Sequence, residues 1–262
     1  MSNLTHFIKH QIDLKKNNGT LLTSESFDLR YSSCAVVGNS GILLNTNYGK
    51  LIDSHEVVIR LNNARVESFE SKVGSKTNIS FVNSNIIHAC NSIVGSGCVC
   101  HSYGADVATI MYISQLSHFM DYTVCSSYSS YTATPLLLLV TDSRFDVLCG
   151  RIVKYYSLRR FIRETGKGLE EWGPAHDEVY FHYSSGFQAL MLALGICDKV
   201  SMFGFGKSAK AKHHYHTNQR AELGLHDYEA EYEFYRDLVD GQYKKIPFIY
   251  DKFKIPPVVM YQ

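Results

Sequence analysis

Long apolar runs are absent from this chain. The longest purely aliphatic block is Leu136 to Val140, far short of the roughly 18 residues that a membrane-spanning helix needs. The opening stretch, Met1 to Asn18, is polar and has no apolar core, so neither a secretory signal nor a membrane anchor is expected in it. An excess of one charge is missing too: 26 basic and 25 acidic residues leave a net charge of +1. With no basic arm or stripe and no acidic tail, nucleic acid is not an expected partner. No Gly-x-Gly-x-x-Gly follows any apolar run, which argues against a dinucleotide-dependent dehydrogenase. The seven cysteines are an odd number, so at least one is unpaired within the chain, and the count alone does not fix the compartment. Three glycosylation sequons, at Asn3, Asn18 and Asn78, support a secretory origin only weakly.

What is present suffices for a full core: 262 residues, 45% of them hydrophobic. Residues 1–30 mix Lys, Asn, Ser and Thr and read as a flexible lead-in; the organised region runs from 31 to 262. Cys34 to Val37 is a short apolar run ending in Gly38-Asn39-Ser40-Gly41, the pattern of a buried strand followed by a tight polar turn. Gly38 and Gly41 would let backbone approach a ligand, and Asn39 and Ser40 offer it amide and hydroxyl groups. A second run, Val57 to Leu61, ends in Asn62-Asn63. Two neighbouring strands that each deliver an Asn at the carboxyl end describe a nucleotide crevice in an α/β sheet.

Further strands are expected at Asn78 to Val82 and Val107 to Ile113, and core again at Leu136 to Val140. His88, Cys90, Cys98, Cys100 and His101 crowd one stretch, but the spacing matches no zinc finger or ribbon, and the Ser and Gly between them suggest a loop. Tyr122 to Thr134 is a hydroxyl-rich loop. Arg151 to Glu164 predicts an amphipathic surface helix stopped by Gly166. Trp172, the only tryptophan, is either a core anchor or a platform for a sugar ring.

Phe187 to Leu194 is apolar almost all round and predicts a buried helix. Ser184-Ser185-Gly186 opens it with hydroxyl caps and free N–H groups, a ready anion site, and Val200 to Phe203 is the next strand. Gly206-Lys207-Ser208 imitates the end of a P-loop, but the glycine required five positions before Gly206 is Ser201. Lys207 to Lys212 therefore reads as a basic connector. Asp227 to Asp240 has a helical pattern that puts His226 at a helix N-terminus, where the dipole favours a neutral imidazole. Such a histidine is either a general base or a cap.

These stretches together resemble the eukaryotic sialyltransferase family. Cys34 to Thr77 is similar to its long motif and Tyr183 to Gly206 to its short motif. His213-His214-Tyr215-His216 is similar to the third motif, and His226 with Glu231 to the very short one. The likeness spans residues 34–231 and holds all four motifs in order. It departs at Tyr183, where the family has proline, and at Thr217, where it has an acidic residue. Gly41 to Asn45 and Ser71 to Gly74 look more like the plant sialyltransferase-like branch.

The resemblance implies an α/β fold: one Rossmann-like domain, a GT-A-like variant with a central, mostly parallel sheet flanked by helices. It implies an inverting glycosyltransferase that moves a sugar acid, sialic acid or a keto-sugar such as Kdo, from a CMP-linked donor to a glycan hydroxyl. His226 would be the base, and His214 a donor to the leaving phosphate. Asn39, Ser40, Asn62, Ser184, Ser185 and Gly186 would bind the donor. No cofactor or metal is expected: a monophosphate leaving group needs less charge compensation than a diphosphate, and the chain has no Asp-x-Asp pair. The family also implies a Cys34–Cys197 disulfide and a Golgi lumenal location, with this chain a form lacking the usual N-terminal anchor. The alternative is an inactive nucleotide- or glycan-binding relative.

Overall fold

The computed structural model describes residues 30–91, 103–104, 107–121, 138–176, 181–208, 210–217, 225–246 and 254–262. Most of the lead-in with Asn3 and Asn18, the Cys98, Cys100 and His101 positions and the Tyr122 to Thr134 loop lie outside them. In chain order the elements are β1 (Cys34–Val37), α1 (Gly49–Asp53), β2 (Val57–Leu61), α2 (Glu70–Val73), β3 (Ile79–Asn83), α3 (Ser84–Asn91), β4 (Ala108–Tyr112) and β5 (Leu138–Val140). There follow α4 (Ser143–Thr165), α5 (Trp172–His176), α6 (Ser185–Ile196), β6 (Val200–Phe203), α7 (Tyr228–Val239) and β7 (Val258–Tyr261), with short 3-10 turns between.

The strands form one seven-stranded sheet in the order β5-β4-β3-β2-β1-β6-β7. Every pairing is parallel, with Cys34 opposite both Val57 and Val200. Strands covered on both faces must be apolar throughout, which is why β1, β2 and β6 were legible as continuous runs. Residues alternate between the two layers. Cys34, Val36, Ile59 and Met202 belong to the larger core under α4, α6 and α7, whereas Ala35, Val37, Val58 and Phe203 pack on the other side with Leu43, Ile52 and Val73.

α6 is the central helix: all its residues but Ser185 and Gly195 are buried. Arg30, placed in the lead-in by composition, instead clamps the end of α6, donating to the carbonyls of Gly195 (3.0 Å) and Leu194 (2.8 Å). A cation there answers both the unpaired carbonyls and the negative end of the helix dipole. Cys34 and Cys197 are joined in a disulfide with Cα atoms 6.0 Å apart.

Two expectations need correcting. The helix foreseen from Arg151 begins at Ser143, where Asp142 caps it by accepting from the Arg144 N–H. Its inner stripe includes Phe145, Cys149, Ile152, Val153, Tyr156, Ser157 and Phe161, and the small members Cys149 and Ser157 hide the period from a count of large apolar residues. It is amphipathic and stops at Gly166 as expected, but it starts eight residues earlier and its buried stripe belongs to the main core. The His88 stretch, read as a loop, begins as helix α3: His88 lies 2.9 Å from Asp121 and stacks on His118. Trp172 resolves as the core anchor. It is buried, and its Nε1–H donates to the Ser157 hydroxyl (3.0 Å).

Candidate active site

The chain runs outward from β1 through β5 on one side of the sheet, then returns to start again at β6 on the other. The carboxyl ends of β1 and β6 therefore border the switch point, where an open parallel sheet leaves a crevice. A cleft of about 200 Å³ lies there. It gathers the predicted Asn39, Ser40, Asn62, Ser184, Ser185, Gly186, His214 and His226 into one lining.

The glycines after β1 let two backbone segments meet. A Cβ on Gly38 would fall 2.6 Å from the Gly204 carbonyl oxygen, and one on Gly41 would fall 2.5 Å from that of Lys212. Backbone makes these close approaches, and Gly38 also lines the cleft. The Gly41 N–H donates to Lys212 O (3.0 Å) and the Tyr215 N–H to Asn39 O (2.8 Å). These bonds dock the His213–His216 segment against the turn after β1. The side-chain oxygen of Asn39 is left buried, with no hydrogen-bond partner among the described residues. A buried acceptor in a cleft wall is a point of recognition for a ligand donor.

Polar residues link the strand ends into a chain. Asn62, at φ +54°, accepts the Asn83 N–H on its side-chain oxygen (2.9 Å). The Asn83 amide donates to the Tyr112 hydroxyl, which lies 3.1 Å from the Ser185 hydroxyl. Asn83 and Tyr112 were missed in the sequence, although Asn83 closes its strand as Asn62 follows its own.

Ser184, in the lining, also makes three hydrogen bonds within the fold. It caps α6 by accepting from the Phe187 N–H (3.1 Å), and it gives both its own N–H (2.7 Å) and its hydroxyl (2.6 Å) to Glu231. The Tyr235 hydroxyl also donates to Glu231, at 3.0 Å. Burial raises the Glu231 carboxyl to about 7 against the pull of these donors. This contact joins the Glu of the fourth motif to the turn that opens the second. The first turn of α6 still offers its unpaired backbone N–H groups at the cleft.

His226 directly precedes the N-cap of α7, and the cap is Asp227, whose carboxylate accepts from the Ala230 N–H (3.2 Å). The histidine is therefore not the cap. Its Nδ1–H donates to the His182 carbonyl (3.0 Å), so the neutral ring keeps its lone pair on Nε2. Burial, reinforced by His182, His213 and Lys207, pulls its pKa down to about 4 against the bond to His182. Burial and neighbouring His216 take His214 to about 4 as well. The His214 Nδ1 sits 3.5 Å from the Thr217 hydroxyl, which stands where an acidic partner was expected. Beside His226 lies Tyr228, and the Lys207 ammonium rests 3.8 Å above its ring. Lys207, read in the sequence as connector, belongs to the lining.

Among the described residues no group of three or more His, Cys, Asp or Glu side chains could hold a metal ion. Asn78 uses its side-chain oxygen inside the fold, accepting the Val58 N–H (2.9 Å).

The seven-stranded parallel sheet flanked by helices is the GT-A-like fold of solved sialyltransferases. Residues 2–243 match glycosyltransferase family 29 (sialyltransferase), and the chain belongs to that family. It is 56% identical over 262 residues to a β-1,6-galactosyltransferase of Arabidopsis thaliana, covering all of this chain and 63% of that protein. It is 54% identical over 254 residues to sialyltransferase-like protein 1 of Oryza sativa subsp. indica, covering 97% of this chain and 63% of that one. The chain thus spans under two thirds of these relatives' length. A crystal structure of a mammalian sialyltransferase, in complex with Gal-beta-1-3GalNAc-ortho-nitrophenol, superposes with a TM-score of 0.51 at 28% identity, over 80% of this chain and 66% of that one.

Proposed function

We propose that this protein transfers a sugar acid from a CMP-linked donor to a glycan hydroxyl, with inversion at the anomeric carbon. The observation that carries the reading is His226: a neutral imidazole in the cleft, its Nδ1 proton held by the His182 carbonyl, leaves Nε2 as the base. The acceptor oxygen attacks the anomeric carbon as its proton passes to Nε2. The bond from that carbon to the phosphate oxygen breaks, and CMP leaves. His214 donates to the leaving phosphate through Nε2–H, the tautomer in which the Thr217 hydroxyl donates to Nδ1. Asn39, Asn62 and the first turn of α6 hold the nucleotide. On this reading the reaction needs no divalent ion and takes place in the Golgi lumen.

A second reading has one specific support, the high identity to a protein named as a β-1,6-galactosyltransferase. It replaces the sugar acid by a galactosyl group carried on a nucleotide. One experiment separates the two: nucleotide release from CMP-Neu5Ac, CMP-Kdo and UDP-galactose, with glycan acceptors, in EDTA and in Mn²⁺. Turnover of a CMP-linked donor that persists in EDTA is the expected result. Turnover of UDP-galactose alone would move the assignment to the second reading, and nucleotide binding without turnover would make the chain an inactive relative.

A further inference from the structure

Of the described residues that line the cleft, Lys207 alone is a lysine or arginine. It forms no ion pair among the described residues, and its ammonium is held instead on the face of Tyr228. A cation seated on an aromatic ring keeps its charge while giving up part of its hydration. Such a group has more to gain from an arriving anion than a fully hydrated lysine would.

Its place in the cleft says which part of a ligand it meets. The Tyr228 ring is flanked by the rings of His226 (5.4 Å) and His213 (5.8 Å), and His213 stacks on His214 (4.4 Å). Asn39 and Asn62 stand at the carboxyl ends of β1 and β2, with the His213–His216 segment docked on the turn that carries Asn39. Through Tyr228, Lys207 belongs to the histidine side, where bonds are made and broken. The remaining charged side chain in the lining, Glu231, is occupied by Ser184 and Tyr235. Partial burial draws the lysine pKa below its ordinary value, with Glu229 and Glu231 opposing.

We propose that Lys207 is a donor-binding residue that pairs with an anionic oxygen at the reacting end of the donor, a phosphate or a sugar carboxylate, and leaves the nucleoside alone. This rests on the CMP-sugar reading above. Both anions present the same chemistry to an ammonium, so the test must tell them apart.

Binding of cytidine, CMP and CMP-Neu5Ac, without acceptor, should be measured by calorimetry on the wild type, Lys207→Met and Lys207→Arg. Methionine keeps an apolar stem against Tyr228 and removes the charge. Cytidine affinity should be the same in all three proteins. Loss of a charge-assisted contact should weaken an anionic ligand by about 10- to 100-fold in Lys207→Met, with recovery in Lys207→Arg. If CMP is weakened, the partner is the phosphate. If CMP-Neu5Ac is weakened while CMP is not, the partner is the carboxylate. Equal affinity of wild type and Lys207→Met for both anions, or a matching loss for cytidine, would overturn the inference. A wild-type protein that binds neither CMP nor CMP-Neu5Ac would overturn the donor reading, and this inference with it.

Discussion

At the scale of single residues, His226 carries the sharpest claim. Two jobs compete for a histidine just before a helix, capping the helix or taking a proton. Asp227 does the capping, so the His226 side chain is not the group that satisfies the first turn of α7. His226→Ala should therefore lower kcat by about 10²–10⁴-fold, the usual worth of a positioned base. CMP affinity should hardly change, because the acceptor side is touched and the nucleotide side is not. A pH profile adds a second check. A base whose pKa is about 4 stays unprotonated above that value, so activity should not fall across pH 6.5, where an ordinary histidine titrates. A folded His226→Ala protein with wild-type kcat would remove the mechanism. The sequence made His226 a candidate through the motif and its place at a helix N-terminus. It could not reveal the His182 carbonyl, since that bond spans 44 positions along the chain.

At the scale of elements, the site depends on how α7 meets α6. Ser184 and Glu231 come from different motifs, and their two hydrogen bonds fix the start of one helix against the first turns of the other. Glu231→Ala would leave the Ser184 N–H and hydroxyl and the Tyr235 hydroxyl without their acceptor. The expected cost is about 3 kcal/mol, read as a lower Tm. Glu231→Gln retains an acceptor and should lose less, and the pH dependence of the difference is diagnostic. The folded pKa of Glu231 is about 7 against an ordinary value of 4.5. The native state thus binds the proton more tightly. The associated stability is fully present below pH 4.5 and is lost as pH rises to about 7. Wild type should therefore lose ground relative to Glu231→Gln over that interval. A difference that stays constant from pH 4.5 to 7 would contradict the buried carboxyl. The elements themselves were unevenly legible. The strands β1, β2 and β6 announce themselves because both faces are covered and each ends in Gly or Asn. The first two turns of α4 do not, because Arg144 and Asp146 interrupt the apolar pattern while Cys149 fills the core.

At the scale of the whole molecule, stability and recognition sit at opposite ends of one sheet. The cleft lies beyond the carboxyl ends of β1 and β6, and the Cys34–Cys197 bond lies at their amino ends. Asn39, Ser40, Asn62, Ser184, Ser185 and Gly186 were legible as candidates for the cleft because crevice chemistry collects at strand ends and helix starts. Lys207 was not, because its assignment depends on a Tyr228 ring that only the fold brings near. The backbone contacts that require Gly38 and Gly41 were not legible, since they come from distant segments. The disulfide joins residues 163 positions apart, so it constrains most of the unfolded chain. It should contribute about 2–4 kcal/mol, the common range for a native bridge. Formation requires an oxidising compartment. Peptide mapping of protein made in the secretory pathway should find the bond, and two free thiols at these positions would end the claim. Cys34→Ser with Cys197→Ser should then lower Tm while CMP affinity of the folded protein stays as in the wild type. The reason is geometric: α6 runs from the Ser184 cap at the cleft to Cys197 at the bridge, and its buried length keeps the upper end packed when the lower end is released. Weakened CMP binding in a fully folded double variant would show that the bridge reaches the site through α6, and that the two ends of the sheet are not independent.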